Sequence, residues 1–180
     1  MSQRLFIALW PDAALRRQLI EVTSDAVDVC GGRPVPPENY HVTLSFLGEQ
    51  PAAGLEALIA GLDQVRVPSF TLTLNHFDCW PELGVFWFGP DDWPDTCRLL
   101  VTRIDRVLDA LDIRTDKQEL KPHITLARKV RVLPELSAPA SVDWSVQDFV
   151  LVASNVTKHG SEYSIIKRFG GGSRHDPNLD

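Results

Sequence analysis

The sequence predicts an α+β fold built as two related lobes, and three observations carry that expectation. The order strand, helix, strand occurs twice along the chain. The tetrapeptides His41-Val42-Thr43-Leu44 and His123-Ile124-Thr125-Leu126 close the two passes with one pattern. His41 lies 35 residues after Phe6 and His123 lies 37 after Phe86, so the passes agree in length. With 180 residues, 44% hydrophobic and 23% charged, the chain suits one compact domain or two half-size lobes sharing a core.

Each element has a local reason. Residues 4–9 are a short apolar run and read as a buried first strand. Pro11 and Asp12 open a helix with Leu15, Leu19, Val22 and Ala26 on one face, and Gly31-Gly32 ends it. Residues 33–38, RPVPPE, form a stiff loop because proline fixes φ. Residues 39–46 read as a strand. Pro51 starts a second helix, faced by Leu55, Leu58, Ile59 and Leu62. Residues 69–75 alternate Phe, Leu and Leu with Thr, Thr and Asn, the pattern of a half-buried strand.

Residues 84–88, GVFWF, begin the second pass. Pro94 suits the first turn of a third helix, faced by Leu100, Ile104, Val107 and Leu111. A strand follows at 121–128, and the Pro-, Ala- and Ser-rich stretch 129–144 reads as a long loop. Strands at 148–154 and 163–169 join through a turn near Gly160. The expected domain is 1–169 in two lobes, with 170–180 (GGGSRHDPNLD) as a flexible tail.

Composition narrows the function. The formal charge is −6, from 18 basic and 24 acidic residues. A protein that tracks long nucleic acid usually carries a basic face and a high pI. The sequence pI near 5.3 argues against that mode and leaves recognition of one nucleotide end open. Between 114 and 131 the balance reverses, with six basic residues against two acidic ones, either a solvated edge or a groove rim. No apolar run approaches the ~20 residues of a membrane span. The first strand lacks the long apolar region and cleavage site of a signal peptide. Three cysteines, with no CxxC pair, suit free thiols in a reducing compartment, so the expected location is cytoplasmic. Phosphate loops of the GxxxxGK type, GxSxG elbows and GxGxxG turns are all missing from the sequence.

The chemistry rests on the paired tetrapeptides. On a strand, alternate residues share a face, so His and Thr point one way and the apolar pair points to the core. Their Cβ atoms then sit roughly 6.5–7 Å apart, which suits both side chains touching one phosphate-sized group. Histidine titrates near neutral pH, so two of them supply a general base and a general acid. Threonine hydroxyls donate to non-bridging phosphate oxygens and stabilise developing charge. The kit fits attack of water on a strained cyclic phosphodiester. Two plainer readings stand beside it. Both His can be satisfied residues of half-buried strands, or the pair can ligate zinc, although no HExxH and no third ligand is evident.

The paired motifs resemble the two-histidine (2H) phosphoesterase superfamily. The stretches RLFIALWPDAALRRQL, GRPVPPENYHVTLSFLGE, KPHITLAR and SEYSIIKRF narrow the likeness. They resemble the bacterial RNA 2′,3′-cyclic phosphodiesterase family, also called 2′-5′ RNA ligase after a reverse activity. The resemblance spans about residues 4–169. It implies two pseudo-symmetric α+β lobes with mainly antiparallel sheets around a central groove, each contributing one His-x-Thr-x strand. It implies hydrolysis of 2′,3′-cyclic phosphate ends of RNA or small nucleotides to 2′-phosphomonoesters. His41 matches the proton donor to the leaving oxygen, His123 the acceptor that activates water, and Thr43 and Thr125 the phosphate-binding hydroxyls. No metal, cofactor or membrane is implied, and a monomer is the default. Related superfamily members act on ADP-ribose cyclic phosphate or 2′-5′ oligonucleotides. A module that binds RNA ends without turnover is the further alternative.

Other residues rank lower. Arg128 is five positions after His123, so strict alternation turns it away from the phosphate unless a bulge intervenes. Phe46 holds the same place after His41 and reads as core. Trp10, Trp80, Trp87 and Tyr163 are candidates to stack on a base. His76, His159 and His175 lack a matching Thr, and Lys158 and Lys167 are candidate groove cations.

Overall fold

Strand β1 (Ser2–Leu9) buries five consecutive side chains, Leu5 to Leu9. Leu5, Ile7 and Leu9 enter the main core, while Phe6 and Ala8 join Val150 and Val152 in a second cluster. The structure, a computed structural model, describes residues 2–115, 121–132, 135–157 and 160–171. Helix α1 (Ala13–Val29) is capped by Asp12, whose carboxylate accepts the Leu15 N–H at 2.8 Å. Thr23 is buried on this face while the expected Val22 packs partly buried against the core; the Thr23 hydroxyl donates to the Leu19 carbonyl at 2.8 Å and is satisfied there. Gly31, at φ +69°, reverses the chain after the helix.

The stretch expected as a loop contains a two-residue strand, β2 (Arg33–Pro34), and a 3₁₀ turn at Pro37–Asn39. Strand β3 (Val42–Pro51) therefore starts later than expected and runs further. Pro51 ends that strand and a short turn follows, so helix α2 (Leu55–Asp63) begins at Leu55. Strand β4 (Phe70–Leu74) matches its alternation. Strand β5 (His76–Trp80) is an element that the sequence pattern does not announce. Strand β6 (Val85–Gly89) is buried throughout. Helix α3 (Asp95–Ala110) buries Cys97, Leu100, Ile104 and Leu108, leaving the expected Val107 and Leu111 at the margin. Strand β7 (Ile124–Arg128) is shorter than expected. Strand β8 (Val142–Val146) replaces the end of the expected loop, turning Val142, Trp144 and Val146 inward. Strands β9 (Asp148–Thr157) and β10 (Gly160–Gly170) complete the chain. The tail beyond residue 171, with His175, and the turn residues Lys158 and His159 lie outside the described residues.

The main sheet has the order β10-β9-β1-β3-β7-β6-β5, with β2 attached to β7, and β4 and β8 form a separate ribbon. Every pairing is antiparallel. The buried residues of all three helices and of the ribbon share the main core, on one face of the sheet.

The duplication is visible in the register. Val42 opposes Leu9 and Thr43 opposes Ala8; Ile124 opposes Phe88 and Thr125 opposes Trp87. The next rung is Ser45 on Ile7 in one half and Ala127 on Phe86 in the other. One residue is skipped in each, Leu44 and Leu126, so the same bulge occurs at the same place. The two halves meet at a single rung of the β3–β7 ladder, Val42 on Ile124.

Candidate active site

His41 and His123 stand one residue before their strands, on either side of the rung that joins the two halves. Directly paired residues have Cα atoms about 4.5–5.5 Å apart, so the register alone brings the two motifs together. The Nδ1 of His41 lies 2.7 Å from the carbonyl oxygen of Asn39, and that of His123 lies 2.7 Å from that of Lys121. A carbonyl only accepts, so each Nδ1 carries the proton and donates it. Each Nε2 is thereby left as the basic nitrogen. Thr43 and Thr125 are half-buried on the face opposite Val42, Leu44, Ile124 and Leu126, which are in the core.

The repeated bulge sets the direction of the side chains beyond each Thr. Leu44 and Ser45 are both buried, as are Leu126 and Ala127. Alternation resumes one residue late, and positions 46 and 128 emerge on the histidine face. Phe46 is therefore 55% exposed, its ring 6.3 Å from that of Phe6, and the expectation of a core residue is corrected. Arg128 is likewise turned by the bulge, and it lines a cavity together with His41 and Thr125.

That cavity has a volume of about 240 Å³. Arg33, Asn39, Ser161 and Tyr163 contribute further polar lining, and among the described residues no carboxylate does. His41 shares it with the Thr of the other motif, so the two repeats build it jointly. A larger cavity of about 770 Å³ beside Trp10 contains neither His nor Thr of the motifs. Among the described residues its one cation, Arg168, is held by Asp148 at 2.6 Å.

Aromatic rings enclose both imidazoles. Trp10 stacks on His41 at 5.2 Å between centroids and 5° from parallel, with Tyr163 edge-on at 5.3 Å and Phe6 at 5.0 Å. Trp80 meets His123 edge-on at 4.6 Å, and Trp87 lies at 6.1 Å. This removal from water is the main cause that lowers both histidine pKa values. For His41 the value falls to about 4; the Asn39 carbonyl opposes the fall, while His123 and Arg128 add to it. His123 is lowered for the same reason, with Arg128 adding and the Lys121 carbonyl opposing. Among the described residues no group of three or more His, Cys, Asp or Glu is placed to hold a metal ion.

Comparisons with known proteins give the family and the fold. A sequence model described as "LigT like Phosphoesterase" matches residues 9–87, which include the first motif. The RNA 2′,3′-cyclic phosphodiesterase of Escherichia coli (strain K12) is 32% identical over 169 residues, covering 93% of this chain and 96% of that protein. The chain belongs to the LigT-like phosphoesterase family. A second relative of the same name, from Thermus thermophilus, is 30% identical and covers 92% of this chain and 89% of its own length. Among solved structures, Escherichia coli LigT complexed with 3′-AMP superposes with a TM-score of 0.85 at 30% identity, covering 96% of this chain and all of that one.

Within this LigT-like frame, the structure brings His41, Thr125 and Arg128 to one cavity and sets His123 and Thr43 beside it through the shared rung. It takes Lys167 away, to Asp63 at 2.6 Å, and His76 to Asp91 at 3.4 Å. Arg33, Asn39 and Ser161 are lining residues that sequence reasoning misses. Their signal is weak: a basic residue before a Pro-rich stretch that returns the chain to the second motif. Phe46 has a clearer one, since it occupies in the first repeat the place of Arg128 in the second.

Proposed function

We propose that this chain opens the 2′,3′-cyclic phosphate ends of RNA or small nucleotides to 2′-phosphomonoesters, with the two histidines as acid and base and without a metal. The observation that carries the reading is the rung Val42–Ile124, which sets two identical His-x-Thr arrangements side by side. His123 Nε2 takes a proton from water as its oxygen bonds to phosphorus. The bond from phosphorus to the 3′ oxygen breaks, and His41 gives that oxygen a proton. Thr43, Thr125 and Arg128 hold the non-bridging oxygens, whose charge rises in the transition state. With a 5′ hydroxyl of RNA in place of water as the nucleophile, the same forward steps join ends through a 2′-5′ linkage.

The free His41 is neutral at pH 7, so its proton must be acquired on binding. The bound phosphate supplies the cause, because an adjacent anion favours the imidazolium. Phe46, exposed beyond Thr43, and Tyr163 offer faces for the base. The chain acts as one two-lobed domain whose last strand, β10, ends at Gly170, one residue past the expected boundary at 169. The protein works as a monomer in the cytoplasm; among the described residues no helix is long and apolar enough to cross a membrane.

The test is incubation with a nucleoside 2′,3′-cyclic monophosphate and excess EDTA, with the product isomer assigned by ³¹P NMR. The expected result is a 2′-phosphate that fails to form with His41→Ala or His123→Ala. Undiminished hydrolysis by both variants would overturn the mechanism. Binding without product from this substrate, ADP-ribose cyclic phosphate and 2′-5′ oligonucleotides alike would replace it with a binding role.

A further inference from the structure

Strand β2 has only two residues, yet it sets one arginine opposite another: Arg33 pairs with Arg128 in the antiparallel register. Like charges directly opposite on a sheet repel. Here both residues line the same cavity as His41 and Thr125, and its lining among the described residues contains no carboxylate. The arrangement is fixed by backbone rather than chance. Gly32 lets β2 approach, since a Cβ there would lie 2.7 Å from the Arg128 carbonyl. The Val35 N–H donates to the Leu126 carbonyl at 2.8 Å, and prolines at 34, 36 and 37 stiffen this segment. The protein as a whole carries −6, so this is a local reversal of sign maintained against the net charge. Two clustered cations facing a cavity fit more anionic charge than the single negative charge of a cyclic phosphodiester.

We propose that Arg33 binds a second phosphate of the substrate, the one on the 5′ side of the terminal nucleoside, so that the site selects an RNA end over a lone nucleoside cyclic phosphate. This rests on the cyclic phosphodiesterase reading of the site. Arg128 stays with the reacting phosphate, and Arg33, one strand further out, takes the next one. That phosphate is either an upstream phosphodiester or a free 5′-phosphate.

The experiment compares kcat/KM for three substrates: adenosine 2′,3′-cyclic phosphate, its 5′-phosphorylated form, and a dinucleotide ending in a 2′,3′-cyclic phosphate. The expected result is that wild type favours one or both of the last two. Arg33→Gln then loses about tenfold on the favoured substrate, the order of one charge-assisted contact, and little on the first. Arg33→Lys restores part of the preference. Preference for the dinucleotide identifies the phosphodiester as the source, and equal preference identifies any 5′ phosphate. An equal loss on all three substrates, or no preference in wild type, would overturn the assignment while leaving hydrolysis intact. Calorimetric binding of adenosine 2′-phosphate and of a dinucleotide 2′-phosphate separates the two ideas further. A dinucleotide advantage removed by Arg33→Gln supports the second phosphate site even if no cyclic substrate turns over. Equal binding of both by wild type refutes it.

Discussion

Burial pushes the His41 imidazole down to about 4, and the His123 imidazole falls for the same cause. On the proposed mechanism, the free protein needs one of the pair neutral and the other protonated. The bell in kcat/KM is therefore expected on the acid side of the ordinary histidine value of about 6.5. Bound phosphate raises the acid, so the basic limb of kcat lies at higher pH than that of kcat/KM; coincident limbs would refute proton uptake on binding. Alanine at either His is expected to lower kcat by ~10²–10⁴ with the circular dichroism spectrum unchanged. The same shift has a sign for stability. A folded pKa below the unfolded one means that the unfolded chain takes up the proton first. Stability is complete above about pH 6.5 and is lost as pH falls towards about 4. His41→Leu should flatten that loss between these limits, as read by urea denaturation at pH 7.5 and pH 5.

At the scale of the element, the bulge explains why alternation misassigns Phe46 and Arg128. Each motif reads correctly as far as its Thr, because period two holds that far. One inserted residue then reverses the parity of the positions that follow it, 46 and 128, and Leu44 and Leu126 give no sign of it, since either residue suits a core strand. Strand β5 does alternate, Phe77 and Cys79 with His76 and Asp78, but its polar half masks the pattern. The pairing of β2 is not legible, because a two-residue strand has no periodicity. It does yield a prediction. The added methyl of Gly32→Ala would press on Val130 Cγ2 and lie 2.7 Å from the Arg128 carbonyl. It should lift β2 from β7 and lower the denaturation midpoint. Asp12→Ala, which removes the cap of α1, is expected to cost about 1 kcal/mol by the same assay.

For the whole molecule, the duplicated order is legible because each half repeats strand, helix and strand at nearly one spacing. The joint between the halves is not, since pairing partners across the repeat leave no mark in either sequence. In the β3–β7 ladder that joint is the one rung Val42–Ile124, beside both histidines. The core behind it is broad, drawing on all three helices. Fold and chemistry thus depend on different amounts of structure. On the proposed mechanism, mild heating that loosens this rung would separate the acid from the base before the rest of the core gives way. Activity should fade several degrees before near-ultraviolet circular dichroism reports melting, and recover fully on cooling. The working temperature of the enzyme is then set by one pair of residues, and its survival temperature by dozens.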